Sequence, residues 1–263
     1  GNGKTNVLDA LHFLSLTKSY LNLTDGQTIT HGETMSLVKA HIERRNSEHS
    51  VDLGLKKGQK KKVRVDGKEV ERLADHIGYL PVVMISPMDR DLIIDAAEVR
   101  RKWMDTTISQ SDSSYLRALI QYNRALSQRN TTLKYFAKNR TFDAEMLGLY
   151  NDQLVEFSTQ ISGARQAFVE ELAPLLQQYY EVLSGGKEEV GLTYKSQLLT
   201  ASMEDLLSSN LEKDRVLQYT SAGTHRDDLT FKLGEHPIKK VGSQGQQKSF
   251  LIALKLAQFE VSK

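Results

Sequence analysis

The chain opens with Gly1-Asn2-Gly3-Lys4-Thr5 and runs directly into an apolar-periodic segment, Asn6 to Leu14. Gly-x-Gly-Lys-Thr at a helix start is the second half of a phosphate-binding loop, the strand–loop–helix unit of α/β nucleotide-binding folds. The glycines let successive N–H groups turn toward phosphate oxygens, and the helix N-terminus adds partial positive charge. The Lys4 ammonium then reaches the β- and γ-phosphates, and the Thr5 hydroxyl serves as a Mg²⁺ ligand. Gly1, Asn2, Gly3, Lys4, Thr5 and Asn6 are therefore the expected nucleotide site, with Thr5 its metal ligand. A flexible glycine-rich tag is the competing interpretation, and the immediate run into a good helix argues against it. The strand and first glycine of the full pattern are not in the sequence, so the chain reads as a fragment.

Composition narrows the class. Apolar residues make up 39% and charged residues 26%, which fits a soluble globular protein long enough for one large core or two domains. The net charge of +2 gives no global attraction to nucleic acid, so any such contact must come from a local patch. There is no cysteine, which removes disulfides and thiolate metal sites. No apolar run is long enough to span a membrane, and no secretory signal is present.

The first helix is expected from Thr5 to Ser15 or Leu16, followed by a polar loop to Gly32 in which Lys18 is a possible phosphate contact. Over residues 36–66 the period changes. Leu37, Lys39 and His41, then Val51, Leu53 and Leu55, then Val63 and Val65 alternate with their neighbours, as in a three-stranded antiparallel meander. Lys57, Lys60, Lys61, Lys62 and Arg64 concentrate positive charge at one hairpin and are candidates for DNA-backbone contact, although a solvated hairpin tip would look the same. Leu80 to Ile85 is a continuously apolar run, expected as a strand buried on both faces. It ends at Ser86-Pro87-Met88-Asp89, where Asp89 is either on the magnesium or water side of a site or a helix cap.

From about Asp91 to Leu217 the pattern is helical. Val99, Trp103, Met104 and Ile108 form an apolar face, with Arg100, Arg101 and Lys102 on a basic one. Leu116, Leu119, Ile120, Asn123, Leu126, Leu133 and Phe136 mark a long amphipathic helix, with a turn at Arg140-Thr141. Met146, Tyr150, Leu154, Phe157, Ile161, Ala164, Phe168, Leu172 and Leu175 then form a coiled-coil-like seam. The two helices predict an antiparallel hairpin, with Pro174 kinking or interrupting the second. Gly191 to Tyr194 and Leu229 to Leu233 read as strands, and Met203 to Leu217 as a helix. Finally Gly242-Ser243-Gln244-Gly245-Gln246-Gln247 leads a strong helix, a second N-terminus able to hold phosphate. A simple capped helix is the alternative.

Taken together, the Gly-Asn-Gly-Lys-Thr-Asn start, Ser86-Pro87 with Asp89, the Arg100-Arg101 pair, Gly223-x-His225-Arg226-Asp227-Asp228 and Ser243-Gln244-Gly245-Gln246-Gln247 resemble the bacterial RecF family of recombination mediators, over essentially the whole chain. The resemblance implies an α/β, ABC-type P-loop ATPase lobe of the Rad50/SMC kind, interrupted by an all-helical lobe containing an antiparallel helix hairpin. Residues 1–88 and 218–263 would form the ATPase lobe and 89–217 the helical lobe. Ser243 to Gln247 would be the ABC signature, acting in trans on nucleotide held by a second subunit, with His225, Arg226 and Asp89 supporting. ATP and Mg²⁺ are the implied cofactors. The implied partners are duplex or junction DNA, a second copy in an ATP-dependent homodimer, and RecR with RecO and RecA. The implied location is the cytoplasm, at the nucleoid.

Two departures from the family pattern matter. The first half of the phosphate loop and the Walker B acidic residues beyond Lys263 are missing, so catalytic residues cannot be named. Weak ATPase activity is expected of an intact protein and hardly any of this polypeptide. A Rad50/SMC-type DNA organiser and an ATP-switched protein scaffold are the alternatives. The first would carry a far longer coiled coil, and a salt titration of DNA binding separates the second.

Overall fold

A computed structural model describes every residue except Gly1, Asn2, Arg45, Lys187 and Lys263. Contacts divide the chain into two compact units, Gly1–Met84 with Ser109–Ser113, and Ile85–Ile108 with Ser114–Lys263.

The first unit holds helix α1 (Lys4–Leu16), a four-stranded antiparallel sheet in the order β1 (Met35–Arg44), β2 (Ser47–Lys56), β3 (Lys62–Val65), β4 (Lys68–Glu69), and the short helix α2 (Leu73–His76). The expected meander is present with one strand more, since the chain turns at Asp66-Gly67 and pairs again at Lys68. Val51, Leu53, Leu55 and Val63 are buried with Phe13, Leu14 and Ile29, and burying each such side chain contributes about 1.5–3 kcal/mol. On β1 the expected facing is off by one residue. Val38, Ala40 and Ile42 pack inward, opposite Leu53, Val51 and His49, while Leu37 is 50% exposed across from Gly54. With apolar residues on both faces of β1, the register to β2 decides which face is buried.

The apolar run Leu80 to Ile85 is not a strand. It is half-buried, and Ile85 is 55% exposed. Val82 exchanges its backbone hydrogen bonds with a side chain: its N–H donates to Gln110 Oε1 at 2.8 Å, and its carbonyl accepts from Gln110 Nε2 at 3.3 Å. The amide thus does what a neighbouring strand would do for that residue.

The second unit contains a 3₁₀ turn (Pro87–Arg90), α3 (Asp91–Ile94), α4 (Ala97–Ser111, its last turn falling in the first unit), α5 (Ser113–Asn139), α6 (Ala144–Ser184), β5 (Val190–Lys195), α7 (Met203–Ser209) and α8 (Leu211–Leu217). A 3₁₀ turn at Thr224–Arg226, β6 (Asp228–Leu233), β7 (His236–Pro237), α9 (Ile238–Val241) and α10 (Gln244–Val261) complete it. Strands β5, β6 and β7 form an antiparallel sheet in that order. The helix expected over Met203 to Leu217 is two short helices meeting at Asn210.

The hairpin of α5 and α6 is antiparallel, as the pairs Ser114–Gln160, Tyr115–Arg165 and Arg129–Asn151 demand. Its seam differs from expectation in register. On α5 Leu133 and Phe136 are buried as expected, but the stripe otherwise runs through Tyr115, Ala118, Tyr122, Ala125, Arg129 and Thr132, while Ile120 and Asn123 face out. On α6, Leu154, Ile161, Phe168 and Leu172 are buried as expected, but Leu147 and Leu176 replace Met146 and Leu175, and Ser158 and Arg165 join them. Alternating three- and four-residue steps still set the spacing. What apolarity alone misses is that Tyr, Ser and Arg can enter a seam when their polar atoms are satisfied there.

Helix α6 runs unbroken through Pro174. Pro174 is on the exposed side, and Leu172 and Leu176 anchor the opposite, buried side. Against α6 lies α10, with Phe250, Ala253, Leu254 and Ala257 fully buried. Trp103 is core, against Phe168, its indole N–H donating to Gln258 Oε1 at 2.9 Å. No helix among the described residues is long and apolar enough to cross a membrane.

Candidate functional site

The phosphate-loop half sits in the first unit. Gly3 caps α1 with φ 70° and ψ 7°, a left-handed conformation that glycine adopts without steric cost. No side chain caps the helix, and its first turn holds no acidic residue. The N–H groups of Lys4, Thr5 and Asn6 therefore stand at an uncapped, exposed helix start whose polarity suits an anion. Gly1 and Asn2 lie outside the described residues. Behind the loop, the Asp9 carboxylate accepts from Ser19 Oγ at 2.9 Å and from the Tyr20 N–H at 2.6 Å, tying the following segment to α1.

The Ser243–Gln247 turn, expected as the signature, sits in the second unit. Ser243 is the N-cap of α10, so Gln244 to Gln247 form the first helical turn. Ser243 Oγ accepts from the Gln246 N–H at 3.2 Å, and Gln246 Oε1 accepts from the Ser243 N–H at 2.7 Å, a reciprocal capping box. Gln246 Nε2 donates to Glu188, whose other oxygen accepts from Tyr180 at 2.8 Å, and Gln247 Nε2 donates to the Gly242 carbonyl at 2.9 Å. Gly242 has a packing reason to be glycine, since a Cβ there would meet the Ile238 carbonyl at 2.8 Å. Gly245 has none: the nearest atom to an added Cβ is Ser243 Oγ at 3.9 Å. A glycine in a helical turn costs up to about 1 kcal/mol relative to alanine, and packing within this chain does not require it.

The His-Arg-Asp-Asp segment is a polar anchor inside the second unit. His225 Nε2 faces the Thr220 carbonyl at 2.9 Å, so that nitrogen carries the proton, and Nδ1 accepts from the Tyr122 hydroxyl at 2.8 Å. Burial pushes the His225 pKa down to about 4, and that of Tyr122 up to about 12. Arg226 is exposed and stacks over Tyr219 at 5.1 Å. Arg100 grips Asp228 through two bonds of 2.7 and 3.1 Å, and Arg101 donates to the Asp227 carbonyl at 2.7 Å. The Arg100-Arg101 pair, expected on a basic helix face, is thus a pair of half-buried partners of the motif.

Asp227 accepts from Arg165 at 2.7 Å and from the Tyr194 hydroxyl at 2.5 Å. Arg165 also donates to the Thr224 carbonyl at 2.7 Å and to Asp105 at 2.8 Å. Burial pushes the Asp227 carboxyl up, and the Arg165 guanidinium opposes that. Tyr115, bonded to Asp105, and Tyr194 are both pushed above the usual phenol value, chiefly by burial. Arg165, Asp105, Tyr115 and Tyr194 are the partners that sequence reasoning missed. Their signal was an arginine at a seam position of α6, where an isolated charge would be prohibitive and a buried carboxylate is implied.

Asp89 has both carboxylate oxygens engaged. Oδ2 accepts from the Ser86 N–H at 2.6 Å in a capping box, and Oδ1 pairs with Lys255 at 2.8 Å, both side chains under a tenth exposed. Of the two roles weighed for it, capping is the one visible here. Among the described residues no three His, Cys, Asp or Glu side chains converge as a metal site.

The basic hairpin is only partly free. Lys61 Nζ donates to the Thr17 carbonyl and to Asp25, each at 2.7 Å, and lies 5.4 Å from the Phe13 ring centroid. It is a structural strut. Lys62 pairs with Glu69 at 3.0 Å across exposed strands. Lys57, Lys60 and Arg64 are exposed and carry no ion pair among the described residues.

A pH test follows from His225. Its folded pKa of about 4 lies below the ordinary value of 6.5, so its contribution is fully present above pH 6.5 and is lost as pH falls toward 4. The loss should reach about 3 kcal/mol. His225→Asn should flatten the acid limb of a plot of unfolding free energy against pH. An unchanged limb would show that this ring does not control it.

No protein-family model matches the chain. Its sequence is 51% identical over 263 residues to the DNA replication and repair protein RecF of Flavobacterium johnsoniae, covering 100% of this chain and 73% of that protein. The RecF of Parabacteroides distasonis is 43% identical over 259 residues, covering 98% and 70%. The chain belongs to the RecF family. Its fold is the family's: the solved RecF–ATP structure of the recombination mediator of the RecFOR pathway superposes with a TM-score of 0.92 at 25% identity, covering 98% of this chain and 72% of that one. An Smc head bound to a winged-helix domain of ScpA shares the fold at a TM-score of 0.50 and 11% identity. The α/β, ABC-type fold with a large helical insertion, expected from the motifs, is thereby established.

Proposed function

We propose that this chain is an ATP-dependent DNA-binding protein of recombinational repair, which dimerises on ATP and helps load recombinase at gapped or stalled-replication DNA. The observation that carries the ATP-dependent dimer is Gly245. A Cβ added there would make only an ordinary contact with Ser243 Oγ at 3.9 Å, so this exposed turn leaves room for a ligand or a second copy to approach. Gly3 and the uncapped start of α1 supply the complementary feature, an anion-ready turn without an acidic residue.

In this reading Lys4 and the N–H groups of Gly3 to Asn6 hold the β- and γ-phosphates, with Gly1 and Asn2 ahead of them, and Thr5 is the Mg²⁺ ligand. The metal, when bound, neutralises charge on the phosphate oxygens. Ser243 to Gln247 close on nucleotide held by the partner subunit. The capping box leaves the N–H groups of Gln244 and Gly245 without an intrahelical partner, as at any helix start, and these are the donors aimed outward. His225 is neutral with both nitrogens occupied, and so positions its segment and is no general base. Residues 1–88 and 218–263 act as the ATPase lobe and 89–217 as the helical lobe. ATP turnover is slow and assigned to the intact protein. RecR with RecO and the recombinase RecA are the expected partners, and the cytoplasmic nucleoid is the expected location. On the basic hairpin, Lys57, Lys60 and Arg64 are available to the DNA backbone, Lys62 is so only by exchanging its exposed pair with Glu69, and Lys61 is held as a strut.

Lys4→Ala tests the nucleotide half. A charge-assisted contact to phosphate is worth about 1.5–3 kcal/mol, so ATP affinity should fall about 10- to 100-fold and the ATP-induced dimer should disappear from size exclusion. Unchanged ATP affinity in the intact protein would sink the assignment.

A further inference from the structure

The two arms of the helix hairpin carry opposite charge. The charged residues of α5 are Arg117, Arg124, Arg129, Lys134 and Lys138, and Arg140 follows. No Asp or Glu occurs between Ser113 and Phe142. Arg129 is fully buried against Asp214 at 2.7 Å, and the others are exposed. At 100° per residue, Arg117, Arg124, Gln128, Thr131, Tyr135 and Lys138 share one outer face, with Lys134 at its edge. That face spans about 30 Å along the helix. Arg124, Lys134, Lys138 and Arg140 have no ion pair among the described residues.

The other arm is the reverse. On α6 the charged residues are Glu145, Asp152, Glu156, Glu170, Glu171 and Glu181, with Arg165 as the only cation, and Arg165 is buried. These carboxylates form no ion pair with Arg124, Lys134, Lys138 or Arg140 among the described residues. Glu145, Asp152 and Glu156 lie on the side of α6 away from its seam, and a groove of about 340 Å³ opens beside the seam over one stretch of the arms. The groove is lined by Ser127, Gln128, Thr131 and Tyr135 of α5 with Met146 and Tyr150 of α6, and contains no carboxylate.

We propose that the outer face of α5 is a phosphate-backbone contact for duplex DNA, separate from the Lys57–Arg64 hairpin; this rests on the DNA-binding reading above. A duplex presents one negative charge per about 1.7 Å of axis, so cations spread over about 30 Å of a rigid helix meet phosphates along its length. Gln128, Thr131 and Tyr135 add neutral donors, which position a backbone without reading sequence. The acidic α6 repels a polyanion and so permits only one orientation of the hairpin against DNA. An acidic protein surface, such as the α6 arm of a second copy, is the competing occupant, but it would not need an acid-free face continued over the whole of α5.

The test uses the intact protein and a labelled blunt duplex, with anisotropy measured over a salt series. The triple variant R124Q/K134Q/K138Q should reduce the magnitude of the log–log salt slope by about 2.7, from about 0.9 per lost phosphate contact, and lower low-salt affinity at least tenfold. All three side chains are exposed, so thermal melts should coincide with the parent. D152N/E156Q on α6 should leave the slope in place. A triple variant with the parental slope overturns the proposal. So does one that keeps its DNA slope but abolishes a salt-sensitive self-association in sedimentation, which would make α5 an interface between copies. A parent protein that binds no duplex fails the DNA reading itself, a result distinct from either.

Discussion

Arg165→Ala should lower the unfolding free energy by about 3–5 kcal/mol, seen as a drop in the urea midpoint at constant slope. The guanidinium is 2% exposed and bonds Asp105, Asp227, the Thr224 carbonyl and the Tyr115 hydroxyl. Truncation leaves Asp227, itself 1% exposed, with neutral hydroxyl partners such as Tyr194 and without its ion-pair partner. Because single domains are held by about 5–15 kcal/mol, the loss is a large fraction of the total. Arg165→Lys should recover part of it, since one ammonium keeps the charge but not the fork that reaches both carboxylates. Arg100→Ala should cost less, because Asp228 is about a third exposed and can be hydrated. A loss below about 1 kcal/mol for Arg165→Ala would mean that the cluster tolerates an unpaired buried carboxylate.

The contrast between those residues shows what the sequence could and could not disclose. The helix after Lys4, the meander, the long hairpin and the Ser243 cap were legible because each is set by local spacing or by a side chain and the backbone within a few residues. Long-range pairing was not. Which face of β1 is buried depends on β2, and whether Leu80 to Ile85 becomes a strand depends on a ladder partner, a place taken for Val82 by Gln110. The site divides in the same way. The helix starts at Gly3 and Ser243 could be placed from local sequence, whereas side-chain partners of His225, Asp227 and Asp228 come from α4, α5, α6 and β5. Arg129 and Arg165, passed over in the sequence, are cations on buried helix stripes, and each marks a buried carboxylate, Asp214 and Asp227, distant in sequence.

Gly245→Ala should act in opposite directions on the isolated chain and on the assembled one. Gly245 does not have a positive φ, and a methyl there meets only Ser243 Oγ at 3.9 Å. Helix α10 should therefore gain a few tenths to about 1 kcal/mol, seen as a small rise in melting temperature without nucleotide. If the signature turn closes on nucleotide held by a second subunit, the same methyl intrudes on a contact made only in the dimer. Overpacking of that kind costs about 1–3 kcal/mol, so the ATP-dependent dimer should weaken about 10- to 100-fold. Ser243→Arg provides the comparison. It removes the cap that satisfies the Gln246 N–H, costing about 1 kcal/mol of stability, and places a bulky cation at the same surface. Both variants should bind ATP as monomers with parental affinity, since the phosphate-loop residues are untouched. Loss of the dimer in Ser243→Arg alone could reflect a damaged helix. Loss in Gly245→Ala, with a helix at least as stable as the parent's, could come only from the surface that Gly245 leaves open, and a parental ATP-induced dimer in Gly245→Ala would refute closure across the signature turn.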